Sequence, residues 1–163
     1  MERAELGLLL PDLAATRALG ARLGACLAAG SVVLLTGDLG AGKSELARAV
    51  IRSLAGAEIP VPSPTFTLLQ NYELPGLEIS HCDLYRIGDA SEVDELGLEE
   101  CWQRGALLVE WPERASWLWP AERLTVALDL LPGDTAGARQ VALEGTGRWA
   151  ALLPNLAGGQ QSR

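Results

Sequence analysis

The chain has 163 residues, of which 48% are hydrophobic, and carries a formal net charge of -8 at pH 7. A chain of this length suits a single domain, and its apolar content is sufficient for a buried core. The acidic charge argues against a protein that grips nucleic acid through a broad basic surface, because contacts with phosphate need clustered lysine and arginine.

The first residues predict neither a targeting signal nor a membrane anchor. Acidic Glu2 and Glu5 precede a short apolar run at 6–10, and no uncharged stretch reaches the length of about 20 residues that spans a bilayer. The three cysteines lack Cys-x-x-Cys spacing, and His81 is the only histidine. We therefore expect a cytoplasmic protein with reduced thiols, without zinc and without membrane contact.

An amphipathic helix is predicted at 12–29, where leucines recur at helical spacing. Asp12 is its expected N-cap and Gly30 its expected stop. The apolar, partly β-branched segment 31–36 then predicts a buried strand, so a helix and a strand lead into the glycine-rich loop that follows.

The strongest local signal is this loop. Residues 37–44 read Gly-Asp-Leu-Gly-Ala-Gly-Lys-Ser, which fits the pattern G-x-x-x-x-G-K-[ST] of P-loop nucleotidases, and helical spacing resumes at 45–54. Glycines let backbone N–H groups converge on phosphate oxygens, Lys43 would reach the β and γ phosphates, and the Ser44 hydroxyl would join a magnesium shell. Lys43 is also the only lysine in the chain. The alternative is a glycine-rich turn between strand and helix that binds nothing.

Prolines interrupt regular structure at 57–64, and an extended run is predicted at 64–69. In P-loop proteins a loop about twenty residues beyond the P-loop can sense the γ-phosphate. Ser63, Thr65 and Thr67 supply hydroxyl groups there. A capped strand entry with solvent-facing threonines explains the same residues and is slightly favoured on spacing alone.

Two later strands each end in a carboxylate. The segments Leu77–Asp83 and Ala106–Glu110 are predicted strands, and parallel strands beside the P-loop strand would bring both acids to the phosphate edge. There, one carboxylate could hold the hydrated metal and the other could orient or deprotonate an attacking water. Acidic residues also end many strands simply because they are polar, so this interpretation depends on the P-loop.

Between the two strands that end in a carboxylate, segment 89–100 carries six acidic residues and is predicted to be helical. Residues 94–97 fit the D-x-x-G pattern of GTPases, but no apolar strand leads into them. The acids are therefore interpreted as a solvated face or a partner surface.

The last third predicts an antiparallel hairpin from strands at 124–130 and 139–144, a helix at 147–156 and a disordered tail at 158–163. Together these elements predict an α/β protein with a P-loop NTPase-like three-layer fold. Its sheet is expected to be mixed and mainly parallel, with an antiparallel C-terminal hairpin. Residues 1–157 are predicted to form a single P-loop ATPase domain.

Four blocks in this chain resemble the TsaE-type ATPases of bacterial tRNA threonylcarbamoyladenosine biosynthesis. They are the loop at 37–44, Ser-Pro-Thr-Phe-Thr-Leu at 63–68, His-Cys-Asp-Leu-Tyr-Arg at 81–86 and Glu-Trp-Pro-Glu at 110–113. The blocks match in order and spacing from about residue 10 to 130. The P-loop is generic, whereas the other three blocks are much more specific to this family.

The resemblance implies a magnesium-dependent ATPase with ATP and Mg²⁺ as cofactors. It would act with two larger proteins that place a threonylcarbamoyl group on the adenosine beside the tRNA anticodon, and would meet tRNA only indirectly. Its hydrolysis of ATP would reset or activate that complex between turnovers. A low intrinsic rate that the partners stimulate is expected.

The resemblance also implies roles for individual residues. Ser44 and Glu110 would bind magnesium, Asp83 would support the metal or the water, and Lys43, Asp83 and Glu110 would form the catalytic set. Thr65 would belong to a switch-like loop and Trp111 would lie near the nucleotide. The implied nucleotide-binding residues are Gly37, Asp38, Leu39, Gly40, Ala41, Gly42, Lys43, Ser44, Glu45, Thr65 and Trp111.

The chain departs from the family pattern at three positions. Ser44 replaces a threonine and keeps the hydroxyl group, and Cys82 stands where an aromatic residue is common, which affects packing more than chemistry. Glu45 stands where many members have threonine, and its carboxylate could repel the α-phosphate unless it turns outward. Arg86 and Arg114 are the candidates for an arginine finger, although a structural or partner-facing role is expected for both.

Rival functions are weighed by the motifs they require. A GTPase needs an Asn-Lys-x-Asp type motif for base reading, which the chain lacks because its only lysine lies in the P-loop. A small-molecule kinase needs an arginine-rich lid and an acceptor pocket, and no segment shows such a cluster, but kinases vary in this feature and a P-loop kinase stays open as an alternative. A nucleotide-gated binding module, in which hydrolysis is incidental, stays open.

Overall fold

The computed structural model describes residues 1–133 and 137–158, which form one seven-stranded sheet and five α-helices. The strands are β1 Arg3–Leu10, β2 Val32–Thr36, β3 Leu69–Leu74, β4 Leu77–Asp83, β5 Ala106–Glu110, β6 Leu124–Leu130 and β7 Arg139–Thr146. The helices are α1 Leu13–Cys26, α2 Lys43–Ala55, α3 Ala90–Glu95, α4 Leu98–Arg104 and α5 Arg148–Leu156, with a 3₁₀ turn at Pro112–Ala115.

The sheet order is β1-β7-β6-β2-β5-β4-β3. The four central strands, β6, β2, β5 and β4, run parallel to one another, whereas β1, β7 and β3 add antiparallel pairs at the two edges. Strand β2 therefore lies in the middle of the sheet with a parallel partner on each side. The C-terminal ends of β2, β4 and β5 meet at one edge, which is where the loop and both strand-end carboxylates lie.

Helices cover both faces of the sheet, and β2 shows how its residues divide between them. Val33 and Leu35 pack in the core beneath α1, α2 and α5, whereas Val32 and Leu34 pack with α4 on the other face, where Trp102 is buried. Because successive strand residues point to opposite faces, a strand covered on both sides must be apolar throughout. The predicted α/β three-layer fold with an antiparallel C-terminal hairpin is confirmed.

Several predicted elements match closely and others are wrong in detail. Asp12 caps α1 by accepting from the Ala15 N–H at 2.9 Å, but the helix ends at Cys26, not at Gly30. The extended run predicted at 64–69 is wrong. Residues 64–67 form a turn in which the Leu68 N–H donates to the Pro64 carbonyl at 2.7 Å, and strand β3 begins only after it.

The helix predicted at 89–100 is interrupted, because Gly97 adopts a left-handed conformation with φ 66° between α3 and α4. Strands β1 and β3 carry no strand prediction. Residues 159–163 of the predicted disordered tail lie outside the described residues, so the disorder of the tail and the limits of the domain stay predictions.

The described ranges contain no helix that is both long and apolar enough to cross a bilayer. Cys26, Cys82 and Cys101 all carry free thiols, and Cys82 and Cys101 are buried in the core. Burial raises the pKa of the Cys82 thiol well above its ordinary value, so this cysteine packs as a small apolar side chain.

One glycine outside the loop is required by close packing and supports a stability prediction. A Cβ atom at Gly105, between α4 and β5, would lie 2.2 Å from the Glu78 carbonyl oxygen. We expect Gly105→Ala to cost about 1–3 kcal/mol of unfolding free energy and to lower Tm by several degrees, because backbone must move to relieve the overlap. Thermal denaturation followed by circular dichroism measures this change.

The matched control is Gly7→Ala in β1, since no heavy atom lies within 4 Å of a Cβ built there. We expect the Tm of that variant to stay close to the wild-type value. Equal melting temperatures for the two variants would contradict the close approach of Gly105 to Glu78.

Candidate functional site

The glycine-rich loop joins the C-terminal end of β2 to the N-terminus of α2. Gly37, Gly40 and Gly42 have φ values of 139°, 80° and 108°, a region that residues with side chains rarely adopt. A Cβ at Gly37 would lie 2.4 Å from the Leu128 carbonyl oxygen, on the neighbouring strand β6. Glycine at these positions lets the backbone pass close to β6 and curve around the N-terminus of α2, whose N–H groups and dipole favour an anion.

Lys43, the first residue of α2, is only 4% exposed. Its Nζ donates to the carbonyl oxygens of Gly37, at 2.5 Å, and Asp38, at 2.9 Å, and lies 4.4 Å from the centre of the Trp111 ring. Burial lowers the pKa of the Lys43 ammonium, while nearby carboxylates, Glu110 foremost, act in the opposite direction. The ammonium is thus held across the loop and faces the strand-end acids.

Both strand-end carboxylates reach the same edge. Asp83 and Glu110 are direct register partners on the parallel strands β4 and β5, and both are buried. Glu110 Oε1 accepts from the Ser44 hydroxyl at 2.8 Å. Asp83 Oδ2 accepts from the Thr65 hydroxyl at 3.2 Å, and its Oδ1 accepts from the Tyr85 N–H at 2.9 Å. Residues from four separate segments therefore meet at this edge of the sheet, where hydrogen bonds hold each carboxylate in place.

These groups open onto a cleft of about 440 Å³, a size typical of small-molecule sites. Its lining residues are Leu39, Gly40, Gly42, Lys43, Ser44, Glu45, Arg48, Thr65, Asp83, Tyr85, Arg86, Glu110, Trp111 and Arg139. Of the site residues predicted from the sequence, Gly37, Asp38 and Ala41 belong to the loop without lining the cleft. The structure places the other predicted site residues around this cleft, while their individual roles stay predictions.

Trp111 follows β5 and covers one side of the cleft. Its backbone is left-handed, with φ 59°, which is uncommon for a residue with a large side chain. The indole ring packs on Tyr85, with ring centres 4.9 Å apart, and lies against the Lys43 ammonium. Because such backbone strain tends to occur at functional sites, it supports the expectation that Trp111 lies near a bound ligand.

Glu45 lines the cleft and pairs with Arg48, one turn further along α2. This contact directs its carboxylate toward a positive charge and reduces the repulsion expected with an α-phosphate. Arg86 lies over the exposed Phe66 ring at 4.6 Å, and Arg114 lies 5.8 Å from the Tyr85 ring centre. Both arginines therefore stack on aromatic rings, and only Arg86 lines the cleft.

The predicted site residues do not include Arg48, Tyr85, Arg139 or His81, the first three of which line the cleft. Arg139, at the start of β7, donates its Nε to the Ala41 carbonyl at 2.6 Å and also contacts the Gly137 carbonyl. No local motif signals this contact, because it depends on the position of β7 in the sheet. His81, whose Nε2 lies 2.7 Å from Glu110 Oε2, could have been suspected, since it shares a strand face with Asp83.

The donor atoms at this point suit a hard cation. A hydroxyl and two carboxylates are the oxygen ligands that magnesium accepts. Within residues 1–133 and 137–158, no group of three or more His, Cys, Asp or Glu side chains is arranged to hold a metal alone. A magnesium ion would therefore need phosphate oxygens and water as further ligands, as is usual for nucleotide sites.

Comparison with known proteins gives consistent matches. The family model described as "Threonylcarbamoyl adenosine biosynthesis protein TsaE" matches residues 10–140. A tRNA threonylcarbamoyladenosine biosynthesis protein TsaE from Rickettsia bellii is 44% identical over 110 residues, covering 68% of this chain and 76% of the relative. The protein of the same name from Nostoc sp. is 40% identical over 139 residues, covering 82% of each chain.

A solved structure matches over nearly the whole length. The crystal structure of Bacillus subtilis YdiB aligns with a TM-score of 0.80 at 26% identity, covering 99% of both chains. The range matched by the family model, 10–140, spans the glycine-rich loop, the two strand-end carboxylates and Trp111.

Proposed function

Because the chain belongs to the TsaE family of tRNA threonylcarbamoyladenosine biosynthesis, we propose that it binds and hydrolyses ATP with Mg²⁺ as an accessory protein of the modifying complex. The observation that carries the proposal is the hydrogen bond between Ser44 and Glu110 beside Lys43, at the mouth of a loop shaped for phosphate. Hydrolysis would reset or activate the transferase complex in the cytoplasm.

The loop and α2 would bind the triphosphate. The N–H groups of the first turn of α2 would bind phosphate oxygens, and the Lys43 ammonium would exchange its contacts with loop carbonyls for contacts with the β and γ phosphates. Arg139 would support the loop by holding the Ala41 carbonyl away from the phosphates. This support matters because carbonyl dipoles pointed at an anion would weaken binding.

Ser44 and Glu110 would hold magnesium, with Asp83 beside them. Magnesium, when bound, would neutralise charge on the phosphate oxygens. Asp83 keeps one oxygen on the Tyr85 N–H and the other on Thr65, and each oxygen retains a second acceptor site that could orient a water. Thr65 thereby links the switch-like loop to the reacting groups.

We expect slow intrinsic hydrolysis of ATP because the arginines that line the cleft already have partners within the protein. Arg48 pairs with Glu45, Arg86 lies over Phe66, and Arg139 is engaged by backbone carbonyls. An arginine that stabilises the transferring phosphoryl group accelerates hydrolysis by about 10³–10⁵-fold in related chemistry. We expect contact with the two larger partner proteins to supply or release such a group, with tRNA held by those partners.

Nucleotide-gated binding without a required hydrolysis step is the second candidate. Phe66 is 81% exposed and Leu39 is 66% exposed, and both belong to loops at the cleft. A partner could bind these side chains in a nucleotide-dependent way. Phosphate release measured with and without the partner proteins and tRNA separates the candidates, because the ATPase proposal requires release to rise when the full complex forms.

Tryptophan fluorescence provides a direct binding prediction. Trp111 contacts Lys43, so we expect ATP with Mg²⁺ to change the emission of the protein, and Trp111→Phe to lose most of that change. GTP is expected to give a weaker response than ATP. Trp117, which is 59% exposed and does not line the cleft, provides the control variant Trp117→Phe. A full response in Trp111→Phe would place the nucleotide elsewhere.

A further inference from the structure

The imidazole of His81 is a buried polar group that the proposed reaction does not use. It is 1% exposed and lies on β4, two residues before Asp83. Nε2 lies 2.7 Å from Glu110 Oε2, whereas Nδ1 is buried without a hydrogen-bond partner in the described part of the chain. Burying a ring nitrogen without a partner costs stability, and a leucine of similar size would avoid that cost. The contact with Glu110 is therefore the feature that favours histidine at this position.

The direction of this hydrogen bond follows from the chemistry of the two groups. An ionised carboxylate can only accept, so the His81 proton lies on Nε2 and is donated to Glu110. The Ser44 hydroxyl donates to the other oxygen, Oε1, at 2.8 Å. Two donors, fixed on a strand and on a helix, thus hold the opposite oxygens of one carboxylate. The plane of the Glu110 carboxylate is set by this pair of contacts.

We propose that His81 is a positioning residue that holds the Glu110 carboxylate in the orientation that binds Mg²⁺ beside the nucleotide. The inference rests on the proposed function, since it assumes that Glu110 is a metal ligand. Ser44 alone would leave Glu110 free to rotate about its last bond, and rotation would move Oε1 away from the cleft. Groups that hydrogen-bond a metal ligand typically contribute about 10- to 100-fold to metal affinity.

The experiment compares His81→Leu, which removes the donor, with His81→Gln, whose amide can reach Glu110 from the same strand position. Mg²⁺ is titrated into full-length protein saturated with ADP, and binding is followed by tryptophan fluorescence. ADP affinity in EDTA is measured alongside. The control is Ser80→Ala on the same strand as His81, which removes the hydrogen bond that Ser80 donates to Asn71 on β3, at 2.7 Å, and makes no contact with Glu110.

We expect His81→Leu to raise the half-saturating Mg²⁺ concentration by about 10- to 100-fold while ADP affinity in EDTA stays unchanged. His81→Gln and Ser80→Ala should remain near the wild-type value. The inference is wrong if His81→Leu keeps the wild-type Mg²⁺ requirement, if it loses ADP affinity in EDTA, or if His81→Gln is as impaired as His81→Leu.

Two further variants keep the outcome interpretable. If His81→Leu does not fold, His81→Asn replaces it, because the shorter amide cannot reach Glu110 and should show the same weakened Mg²⁺ binding relative to His81→Gln. Glu110→Gln, tested in parallel, checks the premise. An unchanged Mg²⁺ requirement in Glu110→Gln overturns the metal site itself, whereas a change there without one in His81→Leu overturns only the role of His81.

Discussion

Replacement of Lys43 by alanine is expected to abolish detectable ATP hydrolysis and to weaken ATP binding strongly. The buried ammonium is the cation that the loop holds at its mouth, on the carbonyls of Gly37 and Asp38. Removal of one charge-stabilising group from a pre-organised site typically costs about 10²–10³-fold in rate. Steady-state phosphate release and an ATP titration by fluorescence measure the two effects separately.

The protein should still fold with alanine at this position. Burial of the ammonium costs free energy and lowers the pKa of Lys43, so the substitution removes a group whose burial is unfavourable. Arg17→Ala is the matched control, since it removes one positive charge from an exposed position on α1. Lys43→Arg should also fail, because a planar guanidinium cannot take the place of a compact ammonium in the loop. ATP binding by Lys43→Ala at wild-type affinity would contradict the proposed site.

Strand β2 begins one residue later than predicted, at Val32, whereas the limits of the next two parallel strands could be predicted to the residue. Strands β4 and β5 have the predicted limits, Leu77–Asp83 and Ala106–Glu110. Strand β5, which is covered on both faces, is a continuous apolar run that ends in a carboxylate, whereas β4 contains polar residues and is recognised from its alternating start and its terminal Asp83. The hairpin β6–β7 was predictable for a different reason: its two strands are close in sequence and turn-forming residues separate them.

Edge strands were missed because their partners are distant or their pattern is weak. Strand β1 alternates exposed and buried residues, and its pairing with β7 joins Arg3 to Thr146 at the other end of the chain. Strand β3 is half-exposed, and the turn before it resembled an extended segment only because proline excludes helix. Such pairings are set by tertiary packing, which local propensity does not record.

The candidate site also contains residues that could be predicted from the sequence and residues that could not. Lys43 and Ser44 could be assigned from one contiguous motif, and Asp83 and Glu110 from the rule that parallel strand ends meet. Arg139 could not, because its contact with Ala41 depends on the sheet order β7-β6-β2. The helix break at Gly97 was equally hidden, since glycine within an acidic helical pattern does not by itself fix a left-handed turn.

Glu110→Gln is expected to have the second largest effect, a loss of about 10²–10⁴-fold in ATP hydrolysis, while ATP binding without magnesium is retained. Glutamine has nearly the same shape, and its amide oxygen can still accept from His81 while its NH2 group donates to the Ser44 hydroxyl oxygen, so the buried site loses a charge and one hydrogen bond reverses its direction. The tRNA modification that the assembled complex performs should fall with the hydrolysis rate. Phosphate release, ATP titration in EDTA and modified adenosine content in tRNA are the measurements.

Asp83→Asn is the informative comparison because Asp83 and Glu110 are register partners with different contacts. Glu110 touches Ser44 directly, whereas Asp83 is held by Thr65 and the Tyr85 backbone. Neutralising Glu110 should therefore raise the Mg²⁺ requirement more, and neutralising Asp83 should lower kcat with a smaller change in that requirement. The reverse pattern would exchange the roles of the two acids, and full tRNA modification by Glu110→Gln would make hydrolysis incidental and favour the nucleotide-gated binding module.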